Sequence, residues 1–203
     1  MIVENDLVTA SVKEAIAAIE FLQKDESICF INQVADLLAD VFASGGKLLV
    51  AGNGGSLCDS SHFAEELTGQ FRGPRRALPA ISLCNPGHLT CVANDMGFDE
   101  VFARGIEAHG QKGDVFCGLT TSGNSANLIK AFKKAHAQGL KTVAFLGKGG
   151  GALKGVADFE LIVDGFAYSD RIQEAHMAAI HIIIEKIESL LFGTDSTVTR
   201  SFK

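Results

Sequence analysis

The stretch LLVAGNGGSLCDSSHFAEELTG, residues 48–69, decides how this chain folds. It opens with four apolar residues, 48–51, which are typical of a buried parallel strand. The glycine-rich sequence GNGG, residues 52–55, then allows a sharp turn close to a ligand, because glycine has no Cβ. We expect Ser56 to cap the next helix, with Asp59 as its capping-box partner. This strand, turn and helix N-terminus together predict an anion site, because free N–H groups point out of the helix end.

A histidine and a glutamate follow the glycine-rich turn on the predicted helix. His62 and Glu66 are four residues apart and therefore share one helix face. The apolar neighbours Phe63 and Leu67 indicate which face points inward. The alternative is a plain surface pair. An anion site beside a His/Glu pair suits chemistry on a phosphorylated small molecule.

A second polar cluster follows a later apolar run. Thr120, Thr121, Ser122 and Ser125 lie between a predicted strand at 114–120 and a predicted helix. Hydroxyls and backbone N–H groups can hold a phosphate without a lysine, although a polar capping loop is the alternative. In parallel sheets ligands bind above the carboxyl ends of the strands. We therefore expect both turns to meet over one pocket.

Short apolar runs alternate with helical patterns along the chain, which predicts an α/β fold with a mostly parallel sheet covered on both faces. We predict strands at 48–51, 79–83, 114–120, 141–147 and 159–163. Two helices are expected within 6–43, one or two within 88–109, one at 126–136, a short one ending at Ala157 and a long one at 171–191. The predicted organisation is a single domain: an N-terminal helical segment (1–45), the core with the last helix (46–192) and a polar tail (193–203). The first helix lies outside any βαβ unit, so it packs on its own core or completes an oligomer interface.

Composition narrows the possible partners and compartment. The formal net charge of −6 gives no general attraction to nucleic acid or anionic membranes. No apolar run reaches the ~18 residues of a membrane span, and the N-terminus has no basic leader-like start. The five cysteines form no CxxC pair, which indicates free thiols in a reducing compartment. We expect a cytoplasmic protein with no nucleic-acid or membrane partner.

Two further segments leave alternatives open. The basic sequence FRGPRR, residues 71–76, is either a solvated loop or an anion-facing rim supplied to a neighbouring subunit. In the last helix, Gln173 and His181 are eight residues apart, about 80° around the axis, so both can face one site. His176 is a rival by the same argument, and a lone histidine in this isoleucine-rich helix is more often a core residue. Spacing alone does not choose between the two histidines.

Four ordered motifs resemble the phosphoheptose isomerase family of the sugar-isomerase (SIS) domain group. They are GNGGSLCDSSHFAEELTG (52–69), CVANDMGFDEVFAR (91–104), TTSGNSANLIKA (120–131) and YSDRIQEAHMAAIHIIIE (168–185). The resemblance extends over residues 6–192 and implies a flavodoxin-like three-layer αβα fold. It also implies conversion of sedoheptulose 7-phosphate to glycero-manno-heptose 7-phosphate, the first step toward ADP-heptose for lipopolysaccharide. Members of the family are homotetramers with sites between subunits, and many bind zinc.

The resemblance also implies roles for individual residues. Glu66 and His181 match the acid/base pair, so the resemblance prefers His181 to His176. Zinc ligation is implied for His62, Glu66, Gln173 and His181. Substrate contacts are expected from Asn53, Gly54, Gly55, Ser56, Glu66, Asn94, Asp95, Thr120, Thr121, Ser122, Ser125 and Gln173. Two departures are Thr120, where serine is common, and the loop at 164–167.

Two alternatives to an enzyme come from the same domain group. A non-catalytic SIS-domain tetramer that binds the bacterial replication initiator resembles this chain in fold and phosphate loops. It lacks the carboxylate and the later histidine that are present here as Glu66 and His181, so these residues favour the enzyme. A phosphosugar-binding regulatory domain is the third option, but such modules usually accompany a DNA-binding domain, for which we expect no room in 203 residues.

Overall fold

The computed structural model describes residues 6–193, so the predicted polar tail lies, from residue 194 onward, outside the described residues. Within this range the strands are β1 (Leu48–Gly52), β2 (Ala80–Ser82), β3 (Val115–Thr120), β4 (Lys141–Gly147) and β5 (Phe159–Val163). The α-helices are α1 (Asp6–Glu20), α2 (Asp25–Ala43), α3 (Gly55–Thr68), α4 (Pro86–Asp95), α5 (Val101–His109), α6 (Ala126–Ala137) and α7 (Ser169–Phe192). Short 3₁₀ turns lie at Phe21–Gln23, Phe98–Glu100 and Lys148–Leu153.

The strands form one parallel sheet in the order β2-β1-β3-β4-β5. β1 and β3 are neighbours, with Gly52 in register with Leu119. The strand order reverses between them, because the chain goes from β1 outward to β2 and from β3 outward to β4. Such a switch point leaves a crevice at the carboxyl ends of the two strands, where ligands bind in this class of fold.

The sheet separates two apolar layers, and alternate residues of β1 show the division. Leu48 and Val50 pack in the layer that contains α1, α2, α3 and α7, whereas Leu49 and Ala51 pack against α4, α5 and α6. Successive side chains of a strand point to opposite faces, so a strand buried on both sides is continuously apolar. The predicted αβα architecture with a five-stranded parallel sheet is confirmed.

Two local predictions are wrong for related reasons. The N-cap of α3 is Gly54 rather than Ser56, because Gly54 has a φ of 58°, a conformation that favours glycine, and the helix begins at Gly55. Ser56 lies in the first turn of α3 and is buried. The short helix expected to follow the turn at 149–151 and to end at Ala157 does not form; a 3₁₀ turn at Lys148–Leu153 includes these glycines, all with positive φ, and only turns and a bend follow it as far as Ala157.

The N-terminal segment consists of two helices, as expected. α1 packs on α7, yet its other side exposes an apolar series: Leu7, Val8, Val12, Ile16 and Ile19. The assignment of this segment to oligomerisation remains a prediction. Across residues 6–193, no helix has the length and apolar character needed to cross a membrane.

Candidate active site

The turns after β1 and β3 are held together side by side. Asn53 follows β1 and Asn127 lies in the first turn of α6. Their side-chain amides exchange two hydrogen bonds, each of 2.9 Å. The reciprocal pair joins the two turns at the switch point of the sheet, so they meet as a parallel sheet predicts.

The turn after β3 gathers hydroxyl groups at the N-terminus of α6. The Thr120 Oγ1 atom lies 3.5 Å from Ser122 Oγ and 3.4 Å from Ser125 Oγ. The backbone N–H of Gly123 donates to Thr120 Oγ1 over 3.3 Å. Thr121 differs, because its hydroxyl donates to Ser169 Oγ at the start of α7. Hydroxyls and a helix N-terminus at one point suit a phosphate dianion.

The 3₁₀ turn at Lys148–Leu153 packs against this hydroxyl turn. The backbone N–H of Ala152 donates to Asn124 Oδ1 over 2.9 Å, and that of Leu153 donates to the Gly123 carbonyl over 3.1 Å. A Cβ on Gly123 would overlap the carbonyl oxygen of Gly150. Glycine at position 123 is therefore required by a close backbone approach as well as by its φ of 65°.

Three side chains from α3 and α7 converge on one point. His62 Nε2 lies 3.2 Å from Glu66 Oε1, one helical turn along α3. The His181 ring of α7 packs edge-on against the His62 ring, with the ring centroids 5.1 Å apart. Ligand atoms of His62, Glu66 and His181 all lie within 4.8 Å of one another. We call these three residues the His–Glu–His cluster.

α3 and α7 run side by side in the same direction, which explains the convergence. The carboxamide of Gln173 lies against Gly55, such that a Cβ on Gly55 would come within 2.6 Å of it. Seven residues after Gly55 on α3, and eight after Gln173 on α7, the rings of His62 and His181 meet. Gln173 is therefore placed at the glycine-rich turn, and the His–Glu–His cluster lies further along the same two helices.

The site also perturbs ionisable groups. Burial lowers the pKa of His181, the charges of His62 and Arg72 act in the same direction, and the charge of Glu66 acts against them. Burial raises the pKa of Asp59 to about 6, with the charge of His62 opposing the shift. Asp59 Oδ2 is buried and has no hydrogen-bond partner within residues 6–193.

Asp59 lies on the helix face that carries His62 and Glu66, although the sequence pattern predicts a capping role for it. It was expected in a capping box with Ser56, but α3 has no side-chain cap. Asp59, His62 and Glu66 follow an i, i+3, i+7 pattern, so they line one face of α3. That spacing was the available signal for a third ionisable group on this face.

Comparison with known proteins agrees with this architecture. The SIS domain profile matches residues 10–147. A phosphoheptose isomerase from Fusobacterium nucleatum is 55% identical over 173 residues, covering 85% of this chain and 89% of that protein. One from Vibrio cholerae is 52% identical over 184 residues, covering 90% and 96%.

Solved structures of phosphoheptose isomerases have the same fold. A phosphoheptose isomerase from Neisseria gonorrhoeae has a TM-score of 0.83 at 36% identity, covering 91% of this chain and 98% of that one. The corresponding protein from Francisella tularensis has a TM-score of 0.85 at 32% identity, covering 91% and 97%. The chain belongs to the SIS-domain family of phosphoheptose isomerases.

Among the residues that the phosphoheptose isomerase resemblance singles out, Asn94 and Asp95 belong to a helix on the other side of the sheet from the His–Glu–His cluster. Both are exposed at the end of α4, where the Asn94 side chain donates to Asp95 Oδ1 over 2.8 Å. α4 packs in the layer with α5 and α6, whereas α3 and α7 lie on the other side of the sheet. Their role in substrate binding remains a prediction.

The His–Glu–His cluster suits the zinc ion expected of phosphoheptose isomerases. Two imidazoles and a carboxylate are common zinc ligands in proteins. The three residues are only partly buried, so an ion and a substrate can reach them. The chemistry and spacing of the donors therefore fit the metal.

Proposed function

We propose that this protein interconverts sedoheptulose 7-phosphate and D-glycero-D-manno-heptose 7-phosphate, as an isomerase in the first step toward ADP-heptose for lipopolysaccharide. The observation that carries the proposal is the His–Glu–His cluster on α3 and α7, the two helices whose N-terminal parts meet at the glycine-rich turn. Membership of the phosphoheptose isomerase family supports the same reaction. No observation on residues 6–193 favours the replication-initiator scaffold or the regulatory domain.

The two turns are proposed to bind the phosphorylated end of the sugar. Thr120, Ser122 and Ser125 present their hydroxyls together at the start of α6, and Thr121 continues the same turn toward α7. Asn53, Gly54, Gly55, Ser56 and Gln173 line the glycine-rich side, and Asn94 and Asp95 are proposed to complete the binding site. Binding of the phosphate in this way fixes one end of the sugar and leaves its carbonyl end free to reach α3 and α7.

Glu66 is proposed to be the base. It takes the proton from C1 of the open-chain ketose while the C2 oxygen gains a proton, which gives an enediol. Return of a proton to C2 and loss of one from the C1 oxygen then give the aldose. His181 faces the same point and has a lowered pKa, so it is suited to move protons between the two oxygens.

His62, Glu66, Gln173 and His181 are the residues proposed to hold zinc. When bound there, zinc would polarise the substrate carbonyl as a Lewis acid. Glu66 has two carboxylate oxygens, and one of them already lies 3.2 Å from His62. The second oxygen is therefore the one we assign to proton transfer.

Quaternary structure and location form part of the proposal. α1 exposes a continuous apolar series rather than single scattered apolar residues, and such a surface suits contact with another copy of the chain. The series consists of Leu7, Val8, Val12, Ile16 and Ile19. We infer a homotetramer with sites between subunits, as the resemblance implies. The cysteines Cys29, Cys58, Cys84, Cys91 and Cys117 are all free, which suits the cytoplasm.

The test is NMR of the purified protein with sedoheptulose 7-phosphate, before and after chelation and return of zinc. We expect signals of an aldoheptose 7-phosphate, lost on chelation and restored by the metal. Turnover that survives chelation would keep the isomerase and reject catalytic zinc. If no product forms under any condition, the proposed activity is wrong and the scaffold reading should be tested by a search for a protein partner.

A further inference from the structure

The basic segment at residues 71–76 is only partly solvated, because Arg72 and Arg76 are exposed whereas the Arg75 side chain is buried. It follows α3 and lies against α7. The Phe71 ring stacks on His181, with centroids 5.7 Å apart and planes 24° apart. The backbone N–H of Arg72 donates to Glu188 Oε2 over 3.2 Å, and its guanidinium pairs with Glu185. The segment therefore contacts the face of α7 that carries His181.

Arg75 is the most deeply buried residue of these contacts. Its side chain is 2% exposed, and its Nε donates to Glu188 Oε1 over 2.6 Å. The remaining guanidinium nitrogens donate to backbone carbonyls at the end of α3, Nη2 to Glu66 over 2.6 Å and Nη1 to Leu67 over 2.8 Å. The last carbonyls of a helix lack partners within it and favour a cation, so the guanidinium occupies a site that suits it.

The two helices are joined at a defined position by this one side chain. Glu188 lies seven residues after His181, so both are on the same face of α7. Arg75 binds the backbone of Glu66 on α3 and the carboxylate of Glu188 on α7. It thereby fixes how α3 lies against α7 at the His–Glu–His cluster.

We propose that Arg75 is a positioning residue that holds Glu66 and His181 in register, with Glu188 as its anchor and Phe71 as the ring that orients His181. The proposal rests on the proposed function, because it needs Glu66 and His181 to be the reacting groups. A lysine cannot replace Arg75 in this role, since its single ammonium cannot reach the carboxylate and the carbonyls as a planar fork does.

Arg75→Lys tests the proposal, with Arg76→Lys as the matched control. Arg76 lies in the same segment, but its side chain donates only one long hydrogen bond, of 3.4 Å, to the Phe42 carbonyl. We expect Arg75→Lys to lower kcat about 10- to 100-fold, because small misplacements of reacting groups have effects of this order. The KM for the sugar phosphate should stay within about 2-fold of its original value, because the hydrogen bonds of the Arg75 side chain within residues 6–193 go to the end of α3, to Gly69, to Arg76 and to Glu188, and not to the turns proposed to bind phosphate. Arg76→Lys should change neither.

The second measurement does not depend on activity. In substrate-free protein, the ring Cε1–H NMR signal of His181 reports its stacking on Phe71 and can be assigned by its loss in His181→Asn. Arg75→Lys should move this signal and leave those of His88 and His136 in place. A loss of stability alone would change neither that signal nor kcat per folded molecule.

The outcomes separate this proposal from the proposed function. Unchanged kcat, or an unmoved His181 signal, in Arg75→Lys would overturn it. If that variant does not fold, the same two measurements on Glu188→Gln decide in its place. If the unmodified protein turns over no sugar phosphate, the proposed function fails, and the His181 signal alone decides whether Arg75 sets the geometry.

Discussion

α7 carries two histidines, five residues apart, that lie in different environments. His176 is fully buried, donates from Nε2 to the Leu146 carbonyl over 2.9 Å and packs against the Phe145 ring. His181 is partly exposed and packs between the rings of His62 and Phe71. Five residues turn a helix by about 140°, which is enough to move a side chain from the sheet to the neighbouring helix. The same residue type therefore belongs to the core on one face and to the candidate site on the other.

The electrostatic environments differ in the same way. Burial lowers the pKa of His176 to about 4, and only the hydrogen bond to Leu146 opposes it. The lowered pKa of His181 reflects burial and neighbouring charges of both signs. His176 is thus held neutral by the apolar core, whereas His181 responds to ionisable side chains around it. Mutations on the two faces should separate activity from stability.

The largest effect is expected on the site face. Glu66→Gln should lower kcat by about 10³-fold, because the amide keeps the shape but cannot accept a proton from carbon. Glu66 forms part of no core cluster, so thermal unfolding should change little. Steady-state kinetics with sedoheptulose 7-phosphate and a melting curve provide the check. Retained activity would refute the assignment of Glu66 as the base.

On the core face, His176→Ala should lower the free energy of unfolding by about 3 kcal/mol. The change leaves a cavity beside Phe145 and removes the donor to the Leu146 carbonyl. Urea unfolding at one fixed protein concentration measures the loss. Activity per folded molecule should remain near its original value, and a large fall in kcat in the folded variant would contradict the division between the two faces.

His181→Asn should show the reverse pattern. We expect kcat to fall about 10²-fold, because the variant lacks the group that we propose moves protons between the substrate oxygens. The free energy of unfolding should change by less than about 1 kcal/mol, since His181 makes ring contacts at a partly exposed position rather than in the core. Comparison with His176→Ala, in the same assays, tests whether the two histidines are interchangeable.

The sequence does distinguish these two histidines, but by the residues that follow each of them on its own helix face and not by their spacing from Gln173. The residues four and seven positions after His176 are Ile180 and Ile183, both buried. At the same offsets from His181 are Glu185 and Glu188, which pair with Arg72 and Arg75. A residue's neighbours on its own helix face therefore indicate whether it faces the core or a polar partner.

The strands and most helices were predictable because their signals are local. Buried parallel strands are short and apolar, and the bounds predicted for β4 and β5 agree with the structure. The N-cap at Gly54 and the 3₁₀ turn at Lys148–Leu153 were missed because both depend on backbone φ values that composition does not fix. Arg75 was missed for a different reason: its partner Glu188 lies 113 residues away in the chain.

The smallest effect concerns the free energy of unfolding. The difference in this free energy between the unmodified protein and His176→Ala should depend on pH. In the folded state His176 stays neutral down to about pH 4, whereas unfolded histidine titrates near 6.5. As pH falls below 6.5, the unfolded state binds a proton that the folded state refuses, so the stability due to His176 declines. At pH 5 the decline amounts to about 2 kcal/mol.

The variant lacks this group, so the destabilisation caused by His176→Ala should shrink from about 3 kcal/mol at pH 7 to about 1 kcal/mol at pH 5. The raised pKa of Asp59 has the opposite effect on stability in this window, because the folded state then binds its proton first. That contribution is common to both proteins and cancels in the difference. Urea unfolding at the two pH values provides the measurement. A destabilisation that does not depend on pH would show that the folded protein accommodates a charged His176, and the electrostatic contrast between the two faces of α7 would be lost.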